Sequence, residues 1–228
     1  MTSVKVAAVV ALLSASAAQA VVVGVESSSA PWLGFMNVFN LPSNGGAFQF
    51  ASGWGVPDLR ATFNDPAQEV SMLPNTIGDT NEYWYIGQGT NPGGPGAPGN
   101  KIMEANLFQQ RSDGSLSGTT VTFNGFVTAN TLTSAHEARI FIRDFAPDFS
   151  SFNETIISAP ASGAFSLSLN TLPGAGRNVQ WGMQLKGVNV WATDTAPFGS
   201  ITYSSVPGPG ALALAGVLGL AATRRRRA

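Results

Sequence analysis

The chain has 228 residues, no cysteine, one histidine and a formal charge of −1, with 44% hydrophobic and only 11% charged residues. The absence of cysteine excludes disulfides, thiolate metal sites and cysteine nucleophiles, and a single histidine excludes a metal centre built from clustered histidines. The length fits one domain with a core of its own.

Residues 1–20 read as a secretory signal peptide. Lys5 gives the positive start, residues 6–13 the apolar core, and Ala18-Gln19-Ala20 the small-X-small pattern, with cleavage expected after Ala20. Residues 21–205 form the expected domain. They hold seven Lys and Arg against all thirteen acidic residues, a formal charge of −6. Such a surface does not suit nucleic acid, whose affinity rests on phosphate neutralisation.

Within the domain, short β-type runs alternate with turn residues. The first are residues 33–39, 47–51, 59–63, 69–73 and 82–86. The stretch Asn91-Pro-Gly-Gly-Pro-Gly-Ala-Pro-Gly99 supports neither helix nor ladder and reads as a surface loop. Residues 101–109 fit a strand beside their β neighbours. Residues 119–127 put Val121 and Phe123 on one face, with Gly125 at a kink or turn. Residues 138–145 alternate cleanly: Ala138, Ile140 and Ile142 face one way, Arg139, Phe141, Arg143 and Phe145 the other. Phe165, Leu167 and Leu169 alternate with serines. Val179, Trp181, Met183 and Leu185 alternate with Gln180, Gly182, Gln184 and Lys186. Period two is the mark of a half-buried antiparallel strand. The alternation breaks at Gly187, where a bulge would return Val188 and Val190 to the core and turn Asn189 and Trp191 outward. Residues 201–203 make a last strand. Nine or ten strands with no helix predict an all-β antiparallel β-sandwich, a jelly roll.

Catalytic chemistry finds little purchase. His136 stands at a strand start, where a solvated or capping role suffices, and no G-X-S-X-G nucleophile elbow occurs. The E-X-D-X-X-E spacing of some jelly-roll glycosidases is absent, and Asp144 and Asp148 flank a Phe-Ala-Pro turn. For calcium, Asp79, Asn81 and Glu82 offer three oxygen side chains in four residues, with Asp194 in a late loop. The same residues equally form a turn in which Asp79 and Asn81 bond the local backbone, and that reading is preferred.

Sugar binding is better served. Carbohydrate surfaces set flat aromatic rings against sugar C–H faces and ring them with Asn, Gln, Asp and Arg. In residues 82–86, Tyr83 and Tyr85 would share the outward face if Trp84 is core. The late strands would present Gln180, Gln184, Lys186, Asn189 and Trp191, and Arg139, Phe141 and Arg143 would join them if their strand is a neighbour. Simple packing of the aromatics is the competing reading. The run Gln180-Trp-Gly-Met-Gln-Leu-Lys-Gly-Val-Asn-Val-Trp191 is similar to the terminal strands of galactose-binding-like jelly rolls.

The tail, residues 206–228, has a separate logic. Val206, Pro207, Gly208 and Pro209 lead into an apolar stretch, and Arg224, Arg225, Arg226 and Arg227 nearly close the chain. As a short hydrophobic helix, the uncharged residues would span about 27 Å, close to a hydrocarbon core, with the arginines held at the cytoplasmic side. Ala211, Ala215 and Gly219 form a small-residue stripe that lets another helix approach. This order resembles the PEP-CTERM sorting signal of Gram-negative bacteria, with Pro207-Gly208-Pro209 standing where the family has Pro-Glu-Pro. The resemblance implies export by the secretion machinery and transient anchoring in the inner membrane. It further implies removal of the tail by an exosortase-type enzyme, and release to the cell surface or extracellular matrix.

The sequence therefore predicts an exported, non-enzymatic surface protein, without a cofactor, that binds or organises surface polysaccharide. A structural or adhesive protein with protein partners is the alternative, and a secreted polysaccharide hydrolase of unrecognised type the second.

Overall fold

The computed structural model describes residues 20–205. Ala18, expected to belong to a signal peptide, and the tail residues from Val206 onward lie outside them, while Ala20 opens the first strand.

Among the described residues, twelve strands form two six-stranded sheets. The first sheet contains β1 (Ala20–Val23), β4 (Ala61–Asn64), β5 (Glu69–Met72), β7 (Thr120–Asn130), β10 (Gly163–Asn170) and β12 (Ile201–Ser204). Its spine is β7, which pairs with β10, with β12 and with β1; the β1 pairing is parallel and the others are antiparallel. The second sheet runs β3-β2-β6-β11-β8-β9, all antiparallel, with β2 (Leu33–Asn40), β3 (Phe48–Gly53), β6 (Lys101–Arg111), β8 (His136–Phe145), β9 (Phe152–Ser158) and β11 (Asn178–Val188).

The period-two runs explain the layers. Met36, Met103, Leu107, Ile140, Ile142, Met183 and Leu185 point inward from the second sheet. Val70, Met72, Val121, Phe123, Ile201 and Tyr203 meet them from the first, and all are buried. Each such side chain is worth about 1.5–3 kcal/mol of burial. Gly125 lies inside β7 rather than at a turn. It sits opposite Phe165 of β10, and a Cβ there would stand 2.5 Å from the Phe165 ring, so the glycine makes room for that ring.

Several expectations need correction. Residues 82–86 form no strand; they make a turn within a long excursion, touching the ladder only through the Tyr85–Gly99 bridge. There is no bulge at Gly187. β11 pairs without interruption with β6 as far as Val188 and with β8 as far as His136. The glycine is required because the His136 ring lies against it; a Cβ would stand 2.1 Å from His136 Cδ2. His136 itself is buried, not solvated. Asp144 does more than serve a turn: it is buried, ion-paired to Arg177 (2.6 Å), and accepts the Leu172 N–H (2.7 Å). Strands β1 and β9 were not anticipated.

Candidate functional site

The two sheets differ in what their outer faces carry. On the second sheet, the even-numbered residues of β6 and β11 and the odd-numbered residues of β8 point away from the core, as the strand pairing requires. One cross-strand row reads Phe35, Asn106, Gln184, Arg139; the next but one reads Gln110, Gln180, Arg143, Glu154. Between them Gly182 lies opposite Phe108 and Phe141. These rows floor a groove of about 720 Å³.

The floor is polar and tightly wired. Arg143 donates through Nε to Glu154 (3.0 Å) and through Nη1 to Asn106 Oδ1 (3.0 Å), and its guanidinium lies 4.0 Å over the Phe141 ring. Gln184 Nε2 donates to the same Asn106 Oδ1 (3.0 Å). Asn106 Nδ2 donates to the carbonyls of Glu104 and Phe35 (3.1 and 3.3 Å). Among the described residues nothing bonds Gln184 Oε1, although the residue is only 2% exposed and lines the groove. Gln180 Nε2 donates to Gln110 Oε1 (2.7 Å).

The walls are aromatic. Phe35 stands on one side, 38% exposed. Opposite it, Phe145 and Phe152 stack at 5.0 Å with a 30° tilt, and Phe149 lies 5.5 Å from Phe145. Phe149 and Phe152 are about half exposed. Phe149 holds φ +59°, a left-handed conformation costly for a bulky residue, in the turn joining β8 to β9. Asp148 fixes that turn by accepting the Ser150 N–H and hydroxyl (3.1 and 2.6 Å), which lowers its pKa below the usual carboxylate range.

Charge along the groove is paired. Glu137 and Arg139 form a bidentate pair (2.8 and 2.7 Å), which depresses the Glu137 pKa and raises that of Arg139. Lys186 Nζ sits 3.2 Å from Glu104 Oε2, and Asn37 Nδ2 donates to Glu104 Oε1 (2.8 Å).

Of the anticipated binding residues, Arg139, Arg143, Gln180 and Gln184 meet in this groove, and Phe141 lies fully buried beneath the Arg143 guanidinium. Lys186 faces the same way one row beyond, bridged to Glu104. The others lie elsewhere. Tyr85 is 1% exposed and donates to Ile77 O (2.5 Å), with Val190 O also near (3.1 Å); burial raises its pKa. Asn189, also 1% exposed, accepts the Lys101 N–H and donates to Trp84 O, both at 2.9 Å. Trp191 packs edge-on against Tyr85 at 5.5 Å, and Tyr83 lies under the Lys101 ammonium at 4.2 Å. Tyr85 and Asn189 are therefore packed inward rather than facing outward, while Tyr83 and Trp191 are half-buried.

The acidic candidates for calcium stay apart in function. Asp79 accepts the Asn81 N–H (3.0 Å), Asn81 accepts the Tyr83 N–H (2.7 Å), and Asp194 accepts the Gly96 N–H (2.6 Å); Glu82 is exposed. Among the described residues, no three His, Asp or Glu side chains gather as a metal site.

Comparison with known proteins adds the following. No family model and no curated protein matches the chain. Among solved structures it is similar to TmCBM61 in complex with β-1,4-galactotriose, at 9% identity over 78% of this chain and 86% of that one, with a TM-score of 0.34. It is also similar to a structure described for the promiscuous specificity of carbohydrate-binding modules from the β-sandwich superfamily. That match has 16% identity, 72% and 69% coverage, and a TM-score of 0.33.

Sequence reasoning missed Asn106, Phe35, Phe149 and Phe152. For the last two a signal was present: Phe145, Phe149 and Phe152 crowd into eight residues around a Pro-Asp turn.

Proposed function

We propose that the chain is a non-catalytic polysaccharide-binding protein whose site is the groove on the outer face of the second sheet. One observation carries this reading: Gln184 Oε1 is a buried acceptor without a partner at the floor of an aromatic-walled groove. A buried polar atom left unpaired costs about 1–3 kcal/mol, and a ligand hydroxyl would remove that cost. Phe35 and the Phe145–Phe149–Phe152 group offer apolar surface to the C–H faces of sugar rings. The site lies on a sheet face, where an extended peptide finds no free ladder groups to pair with. Glu104 and Glu154, the carboxylates lining the groove, are each ion-paired to a cation.

Affinity electrophoresis of the full chain through gels containing single polysaccharides tests the reading. Retardation by at least one polysaccharide supports it; free migration in all of them overturns it.

The finer fold reading, a galactose-binding-like jelly roll, belongs with this proposal and rests on the pattern of residues 180–191. So does delivery. The signal-like residues 1–20 and the PEP-CTERM-like tail support an exported precursor, anchored through residues 206–228 and trimmed by an exosortase-type enzyme. Intact mass of the cell-associated protein is expected to lack Arg224 to Arg227; their retention would make the tail a permanent anchor.

A further inference from the structure

We propose that the groove selects a neutral, hydroxyl-bearing glycan and rejects uronate or sulfated chains. This rests on the polysaccharide reading and adds the charge class of the ligand.

The first argument is the direction of the floor hydrogen bonds. A guanidinium only donates, so Arg143 forces the oxygen of Asn106 toward it. That oxygen also faces Gln184, so Gln184 must present its NH₂ to Asn106. The Gln184 carbonyl oxygen is then the atom left over. Reversing the Gln184 amide would set two oxygens against each other at 3.0 Å. The group that meets Gln184 must therefore be a donor. A sugar hydroxyl qualifies; a carboxylate or sulfate oxygen would meet an acceptor it repels.

The second argument is that, among the described residues, each cation at the groove already has a carboxylate partner: Arg143 holds Glu154, Arg139 holds Glu137, and Lys186 holds Glu104. An anionic sugar would have to compete with one of these carboxylates. The domain's charge of −6 opposes the approach of a polyanion further.

The test uses affinity electrophoresis of the full chain at physiological salt, with β-1,4-galactan, glucomannan, β-1,3-glucan and amylose as neutral probes and alginate and polygalacturonate as acidic ones. At least one neutral polysaccharide should retard the chain and neither acidic one should. Oxidising the C6 hydroxyls of the retarding neutral polysaccharide to carboxylates, on the same backbone, should weaken binding at least tenfold. Gln184→Met, which fills the same volume without the acceptor, should weaken neutral binding at least tenfold with melting little changed. Equal or tighter binding of the oxidised or acidic chains would overturn the neutral selection while leaving glycan binding intact. Gln184→Met binding as tightly as the parent would overturn the role of Gln184. No retardation by any probe would overturn the glycan reading itself.

Discussion

Arg143 and Asn106 meet at 3.0 Å, and this one hydrogen bond sets the polarity of the groove floor. With the Asn106 oxygen held by the guanidinium, the Asn106 and Gln184 amides have a fixed orientation, and Gln184, which lines the groove, is left with a buried acceptor without a partner. Asn106→Ala removes the shared acceptor. It leaves Arg143 Nη1 and Gln184 Nε2 unpaired in a buried setting, which should cost about 1–3 kcal/mol of stability. It also frees Gln184 to rotate. Glycan affinity should fall about tenfold or more, read by affinity electrophoresis at a temperature where urea denaturation shows the variant folded. Affinity equal to that of the parent would separate the Asn106 bridge from binding.

Phe149 allows binding to be changed separately from stability. At φ +59° a bulky side chain pays about 1–2 kcal/mol that glycine does not. The half-exposed ring recovers part of that cost against Phe145. Phe149→Gly should therefore hold the melting temperature within a few degrees, whereas Phe149→Ala keeps the strained backbone without the ring and should be the less stable by about 1 kcal/mol. Both should lose binding to a similar extent, because both lose the ring from the aromatic wall. Thermal melts of the three proteins, with the same gels, decide the matter. An alanine variant more stable than the glycine one would contradict the assigned backbone.

How much of this was legible beforehand depended on whether the signal was local. The strands β8 and β11 announce themselves because Ile140, Ile142, Met183 and Leu185 alternate with polar residues, and their outward sides put Arg139, Arg143 and Gln184 together once the strands pair. The strand at residues 152–158 was hidden, since Thr155, Ile156 and Ile157 run without alternation. Tyr85 and Asn189 were misplaced for another reason. Tyr85 bonds Ile77 eight residues away, but its other partner Val190 and the Asn189 partners Trp84 and Lys101 lie 88 to 105 positions off, and no spacing within one segment reveals such contacts. Gly187 looked like a bulge because its missing side chain answers to a ring on β8, not to its own strand.

Asn189 should behave as a structural residue. It bridges the Lys101 N–H and the Trp84 carbonyl, tying the loop excursion to the start of β6 and the end of β11. Asn189→Ala strands the buried Lys101 N–H and removes one of two hydrogen bonds to the Trp84 carbonyl, which keeps the Asn100 N–H (2.8 Å), at an expected cost of about 1–3 kcal/mol. Measured well below the melting transition, glycan affinity should stay within twofold of the parent, because the groove lies on the opposite face of β11. A variant that melts normally but no longer binds would return Asn189 to the binding surface.

His136 gives the domain a pH dependence of known sign. Its Nε2–H donates to Val188 O (3.0 Å), the only role a carbonyl partner allows, and Nδ1 is buried without a partner. Burial lowers its pKa below the ordinary value of about 6.5, since a proton on Nδ1 would bring a charge into a site with nothing to receive it. The unfolded chain thus binds this proton more readily than the folded one. Stability is full above about pH 6.5 and declines as the pH falls from there toward the lower folded pKa. The paired or turn-bound carboxylates Asp65, Asp113, Glu137 and Asp148 have lowered values, so their contribution is lost only at more acidic pH. Urea denaturation between pH 8 and 5 should show the decline in the parent and a flat profile in His136→Phe, which keeps a ring against Gly187 and Phe198 without the titrating nitrogen. The same slope in both proteins would assign the titration to another group.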